Sequence, residues 1–110
     1  MPHLTLLGDS IIDNAAYTQG QPAVVDQVSQ LLPEGWRVTL GAVDGSTTDE
    51  VPAQLAALAP GTTHLLLSIG GNNAILRADL LDMPGASTAQ ALRLLSDMAH
   101  DFEAQYRQTI

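Results

Sequence analysis

The chain contains no cysteine and no lysine. Without cysteine there is no disulfide, no thiolate nucleophile and no zinc–thiolate site, although this alone does not fix the redox compartment. The basic side chains are four arginines, Arg37, Arg77, Arg93 and Arg107, against twelve Asp and Glu, for a net charge of −8. Nucleic acid is excluded as an expected partner, because phosphate backbones are held by clustered Lys and Arg. Long apolar runs are missing too. None approaches the roughly 20 residues needed to cross a bilayer, and Met1 to Leu7 is too short for a signal sequence and has no basic flank. The expectation is a soluble chain with the cytoplasm as default compartment. No His, Asp or Glu cluster has metal-ligand spacing, so neither metal nor cofactor is expected.

Hydrophobic residues make up 45% of the 110, enough for one small core, and the 15% of charged residues is too low for a disordered tail. The pattern alternates strand and helix. Leu4 to Leu7 reads as a strand covered on both faces. A helix opens at Pro22 and presents Val24, Val25, Val28, Leu31 and Leu32. Arg37 to Leu40 alternates like a strand near an edge. Asp49 is placed to cap a second helix with Pro52 in its first turn and Val51, Leu55 and Leu58 on its inner face. His64 to Ile69 is the most apolar strand.

After a loop-rich stretch with a turn of helix over 74–81, Ser87-Thr88-Ala89-Gln90 has capping-box spacing. It opens a long helix with Leu92, Leu95, Ala99, Phe102 and Tyr106 on one stripe, flanked by Met98. This order predicts an α/β fold, a three-layer α/β/α flavodoxin-like parallel sheet with only its first three strands. The third strand would leave an open apolar edge, which is an aggregation liability unless a complementary fragment or partner chain covers it.

In such sheets ligands bind beyond the carboxyl ends of the strands. The first strand is followed by Gly8-Asp9-Ser10-Ile11-Ile12-Asp13-Asn14, the second by Val43-Asp44-Gly45-Ser46, and the third by Gly70-Gly71-Asn72-Asn73. With strand order 2-1-3, Gly45 and Asn72 would flank Ser10 across neighbouring strands about 4.8 Å apart. The set supplies a hydroxyl nucleophile, a glycine N–H and a side-chain amide, the donors an oxyanion needs. Asp13, Asn14 and Asn73 are candidates for contact with substrate, and loop capping is an equal alternative for Asp13 and Asn14. Asp9 is expected to bind loop N–H groups. Asp79 and Asp82 fall in the loop near the site and could shape its entrance.

Gly-Asp-Ser alone is a weak signal. Joined in order with Gly45 and with Gly70-Gly71-Asn72, it resembles the SGNH hydrolases, also called GDSL-type esterases or lipases, over the whole chain. The resemblance implies ester hydrolysis through an acyl-enzyme on Ser10, with the Ser10 and Gly45 N–H groups and the Asn72 amide as oxyanion hole. It implies a small ester substrate and no cofactor. The third block usually continues with Asp, where this chain has Asn73. The family's base is a histidine in a D-x-x-H motif near the C-terminus, beyond two further strands, so the chain reads as the N-terminal part of one such domain.

None of the three histidines fits that base. His3 and His64 enter their strands at the amino end, about 16 Å from the opposite end at ~3.3 Å per residue. Asp97-Met98-Ala99-His100 matches D-x-x-H literally, but mid-helix these are ordinary i,i+3 neighbours. Serine without a base is a weak nucleophile, so the chain by itself is expected to be inactive. A non-catalytic binding or self-associating module with the same fold is the alternative. A phospho-receiver site is disfavoured by the missing lysine, and a flavin-phosphate loop by Asp9 and Asp13.

Overall fold

The structure, a computed structural model, describes residues 2–77 and 87–110. Three strands form one parallel sheet, β1 (His3–Gly8), β2 (Arg37–Leu40) and β3 (His64–Ser68), in the order β2-β1-β3. The register pairs Leu6 with Leu40 and with Leu66, and Gly8 with Ser68. Among the described residues four α-helices accompany it: α1 (Val24–Leu31), α2 (Val51–Ala56), α3 (Gly71–Leu76) and α4 (Thr88–Thr109).

The central strand carries the core because both its edges are paired and successive side chains point to opposite faces. Leu6 is fully buried with Ile12 and Ala42, and Leu4, Val38 and the α1 valines Val24, Val25 and Val28 pack against this group. Thr5 and Leu7 point to the other face and are also buried. Leu31, expected on the inner stripe of α1, is 85% exposed at the helix end. The helix starts at Val24, with Pro22 just outside it rather than opening it, and Asn14 Oδ1 accepts the Val24 N–H at 2.9 Å.

The second helical stretch begins with a 3₁₀ turn over Thr48–Glu50 that runs into α2. Thr47, not Asp49, caps it: its hydroxyl accepts the Asp49 N–H at 3.3 Å, and Glu50 returns a carboxylate to the Thr47 N–H at 2.7 Å. Threonine wins because its short hydroxyl reaches N–H groups two and three residues on. The Thr47 hydroxyl also donates to the Glu50 carboxylate at 2.5 Å, and this bond first, then the one from the Thr47 N–H, lowers the Glu50 carboxyl from its ordinary value. Ser87 caps α4 as expected, accepting the Gln90 N–H at 3.1 Å.

The long stripe of α4 is not a core stripe among the described residues. Leu92 is 62% and Leu95 41% exposed, and no residue of the helix is buried. Its contacts with the rest of the chain come from the C-terminal half, where Phe102 lies over Gly70 and Gln105 meets Asn73. The radius of gyration, 17.5 Å, accordingly exceeds the about 13 Å of a compact chain of this length. β3 keeps one edge unpaired among the described residues, with Leu65 52% and Leu66 44% exposed.

Gly8 ends β1 with φ +132°, and a Cβ there would stand 1.9 Å from the Ser68 carbonyl oxygen. Neither the dihedral nor the space admits a side chain. Gly8→Ala is expected to destabilise the fold by about 3 kcal/mol or more, read as a fall in the urea midpoint. An unchanged midpoint would show that β1 and β3 are not in this register.

Candidate active site

Past Gly8 the chain turns sharply around Asp9, which is buried. The Asp9 Oδ1 accepts the Ile11 N–H at 3.0 Å, while its carbonyl accepts those of Ile12 and Asp13 at 3.1 and 2.8 Å. This is the loop-binding role expected of it. Ser10 therefore sits at the first position of a single helical turn, where the N–H has no partner in the turn itself. Neither its N–H nor its hydroxyl bonds to any described residue, and the side chain is half-buried.

The loop after β2 forms a turn closed by Ser46 N–H to the Val43 carbonyl at 3.1 Å. Gly45 occupies its third position with φ +88°. A type II turn requires positive φ there, so glycine is demanded by backbone and not by space. The Gly45 N–H is left without a partner among the described residues.

The third exit is tied to the second. Asn72 Nδ2 donates to the Ser46 carbonyl at 2.8 Å, one residue from Gly45, and keeps a second N–H. The first exit is tied there too, through the Asp44 N–H to Asp13 Oδ2 at 2.9 Å. The structure thus brings the loops carrying Ser10, Gly45 and Asn72 together at the carboxyl end of the sheet.

The other candidates are occupied within the chain. Asp13 and Asn14 hold the Asp44 and Val24 N–H groups, the loop-capping alternative weighed for them. Asn73 is buried, accepts the Thr48 N–H at 3.0 Å and donates to the Thr48 hydroxyl at 2.9 Å. Asp79 and Asp82 lie outside the described residues, as does the end of the helical turn expected over 74–81.

The histidines are placed away from this cluster's hydrogen bonds. His3 is buried and its Nε2 meets the Thr39 hydroxyl at 2.6 Å, while His64 Nδ1 meets the Thr63 hydroxyl at 2.8 Å and its ring lies 4.9 Å from Trp36. His100 is exposed on α4 and its Nδ1 bonds the Ser96 carbonyl of its own helix at 2.9 Å. No group of three or more metal-ligating side chains occurs among the described residues.

Two residues that sequence reasoning missed organise the site. Gln54, buried on α2, accepts the Gly8 N–H and donates to the Gly8 carbonyl, both at 2.9 Å, and also reaches the Ser46 hydroxyl at 3.2 Å. A glutamine on the same stripe as Val51 and Leu58 was the available signal. Tyr17 donates its hydroxyl to Asp44 Oδ2 at 2.7 Å from the opposite side of the loop. That bond, and next the charge of Asp44, raises the Tyr17 phenol above its ordinary value.

No family model and no curated protein matches the sequence. Among solved structures, the extracellular lipase of Streptomyces rimosus matches 99% of this chain and 53% of its own, with a TM-score of 0.60 and 21% identity. The chain has the fold of that lipase. TesA matches 94% of this chain and 55% of its own, at TM-score 0.47 and 27% identity. The chain spans about half the length of each. The likeness to the lipase is one of fold, a parallel sheet with flanking helices as the order of elements in the sequence predicts. No helix among the described residues is long and apolar enough to cross a membrane.

Gln54→Leu leaves the Gly8 N–H buried and unpaired, and is expected to cost about 1–3 kcal/mol in chemical denaturation. An unchanged stability would mean that another group takes up that N–H. For Tyr17 the sign is that of a raised folded-state value: the bond to Asp44 contributes fully below the ordinary tyrosine pKa and is lost as pH rises through the raised one. In an absorbance titration, Asp44→Ala should move one of the two tyrosines to lower pH. No movement would show that the pair is not formed.

Proposed function

We propose that this chain carries the nucleophile half of a serine esterase of the SGNH type, as the N-terminal part of one such domain spanning residues 1–110. Ser10 attacks an ester carbonyl, and the Ser10 and Gly45 N–H groups with the free Asn72 amide hydrogen receive the oxyanion. The observation that supports this reading is the set of donors without a partner among the described residues, on three loops that Asn72–Ser46 and Asp13–Asp44 bonds hold to one another. Each such donor, aimed at a developing oxyanion, is worth about 2.7–4 kcal/mol in the transition state.

The base is supplied by an Asp–His pair outside this sequence, on a complementary segment that also pairs with the open edge of β3. The 110 residues alone therefore hydrolyse p-nitrophenyl acetate at or near the solvent rate, and Ser10→Ala changes nothing. Joined to a segment that brings the pair, the protein turns over, and Ser10→Ala then costs roughly 10⁴-fold or more. Robust hydrolysis by the chain alone that is lost in Ser10→Ala and His100→Ala would overturn the divided site. Turnover of the joined protein that survives Ser10→Ala would overturn the nucleophile.

One observation favours a second reading, a self-associating module without catalysis: the exposed Leu65 and Leu66 on an unpaired edge. Light scattering after size exclusion separates the two, since a monomer across a wide concentration range removes the self-associating module.

A further inference from the structure

Asp44-Gly45 is the only place in the sequence where Asp or Asn is followed by glycine. That pair carries a chemistry of its own. The main-chain nitrogen after an Asp residue can attack the side-chain carboxyl carbon and close a cyclic imide, and glycine puts no side chain in the way. Here the nitrogen is unencumbered. The Gly45 N–H has no partner among the described residues, and none of them comes within 4 Å of where a Cβ would stand. Both residues are exposed.

The turn decides how readily the ring closes. Gly45 has φ +88°, Asp44 is not in the positive region, and Ser46 N–H bonds the Val43 carbonyl, which makes the turn type II. Such a turn sets ψ of Asp44 near about +120°. Ring closure needs the Gly45 nitrogen eclipsed with the Asp44 Cβ. On a tetrahedral Cα that falls near about −120°, the value of the mirror-image turn. The peptide plane between the two residues must therefore swing by about 120°, and glycine permits the change in φ this brings.

Two bonds oppose the swing. Asp13 Oδ2 holds the Asp44 N–H at 2.9 Å, and the Tyr17 hydroxyl holds Asp44 Oδ2 at 2.7 Å. The ends of the turn are fixed as well. The Val43 N–H bonds the Gly8 carbonyl at 3.1 Å, and Ser46 is held by Gln54 and Asn72. Motion is thus confined to the Asp44–Gly45 step, and the Tyr17 bond ties the carboxyl that has to move.

We propose that Asp44 is a modification site, at which the chain forms a succinimide and then isoaspartate, and that Asp13 and Tyr17 hold this reaction back. In the first step the Gly45 nitrogen bonds to Asp44 Cγ and the C–OH bond of the protonated carboxyl breaks. The hydroxyl leaves as water with the hydrogen from the nitrogen. Water then opens the ring. Attack at Cγ restores aspartate, whereas attack at the main-chain carbonyl gives isoaspartate, whose main chain runs through Cβ and Cγ and is longer by one methylene. The insertion lies directly before the Gly45 N–H. Its bearing on the oxyanion hole rests on the reading of Gly45 as a donor; the chemistry at Asp44 does not.

The test incubates the 110-residue chain at mildly acid pH, where part of the Asp44 carboxyl population is protonated. Electron-transfer fragmentation of its peptides then locates isoaspartate. The folded chain, the same chain unfolded in urea, Tyr17→Phe and Asp13→Ala are compared; Tyr17 is 63% exposed, so phenylalanine there leaves the core intact. Isoaspartate is expected at Asp44 ahead of the other aspartates, and more slowly in the folded than in the unfolded chain. Each variant should form it about two- to tenfold faster than the folded wild type, the span that one net hydrogen bond gives to a local opening. No isoaspartate at Asp44 in the unfolded chain overturns the site. A folded wild type as fast as the unfolded chain overturns the hold, and a variant no faster than wild type overturns the part given to that residue. A rise at Asp9 in step with Asp44 marks loss of the whole fold and overturns a local hold. Ser10→Ala should leave the rate at Asp44 unchanged, so a failed turnover experiment strikes the nucleophile and not this site.

Discussion

Gln54 places one carboxamide against both backbone groups of Gly8 and against the Ser46 hydroxyl. Gly8 is the last residue of the central strand; its carbonyl also accepts the Val43 N–H at 3.1 Å, while its N–H is received by Gln54 Oε1. The bond fixes the point from which the Asp9 turn departs. It also fixes Ser46, whose carbonyl in turn holds Asn72. Removing this carboxamide would loosen two of the three loops at once. The cost of an unpaired buried N–H, about 1–3 kcal/mol, is a substantial part of the 5–15 kcal/mol that separates a small domain from its unfolded chain.

The three strands and the glycines at their exits were legible in the sequence as hydrophobic runs and breaks; the strand order rests on doubly wound sheets, and the structure has that order. Gln54 was not legible. A glutamine on a helix reads as solvent-facing until one knows that a strand end with orphan backbone groups lies opposite. The choice of Thr47 over Asp49 as cap was hidden for a related reason. Both residues can cap, and the deciding bonds come from the 3₁₀ turn that precedes α2. The stripe of α4 misled in the opposite sense. Its periodicity is real, but periodicity says which side chains share a face and not whether anything covers that face. Leu92 and Leu95 share theirs in the open.

Asn73 is held by three groups of its own chain. Its amide bonds Thr48 twice and Gln105 once, joining the segment before α2 to the start of α3 and to α4. The position next to Asn72 therefore works as a strut. An aspartate there could accept the Thr48 N–H but could not donate to both the Thr48 hydroxyl and Gln105, since a carboxylate has no O–H and its protonated form only one. The amide is thus chemically fitted to three partners, two of which need a donor.

The three arms of the site do not share one degree of support. Ser10 leaves a central strand paired on both sides, and its turn is closed by three bonds to Asp9. Gly45 leaves an edge strand, but Asp13 and Tyr17 pin Asp44 beside it. Asn72 leaves β3, whose outer edge is unpaired among the described residues, and it is held by the Ser46 carbonyl and by Phe102 over Gly70. Strand ends with solvent on one side open more readily than those paired on both. Whatever pairs with β3 would therefore act on the asparagine arm before the serine arm, because it would restrain the strand from which Gly70 and Asn72 hang. Pairing of that edge and order in the Asn72 loop are in this sense one requirement, and the Ser10 turn would hold its place while the Asn72 loop was still loose.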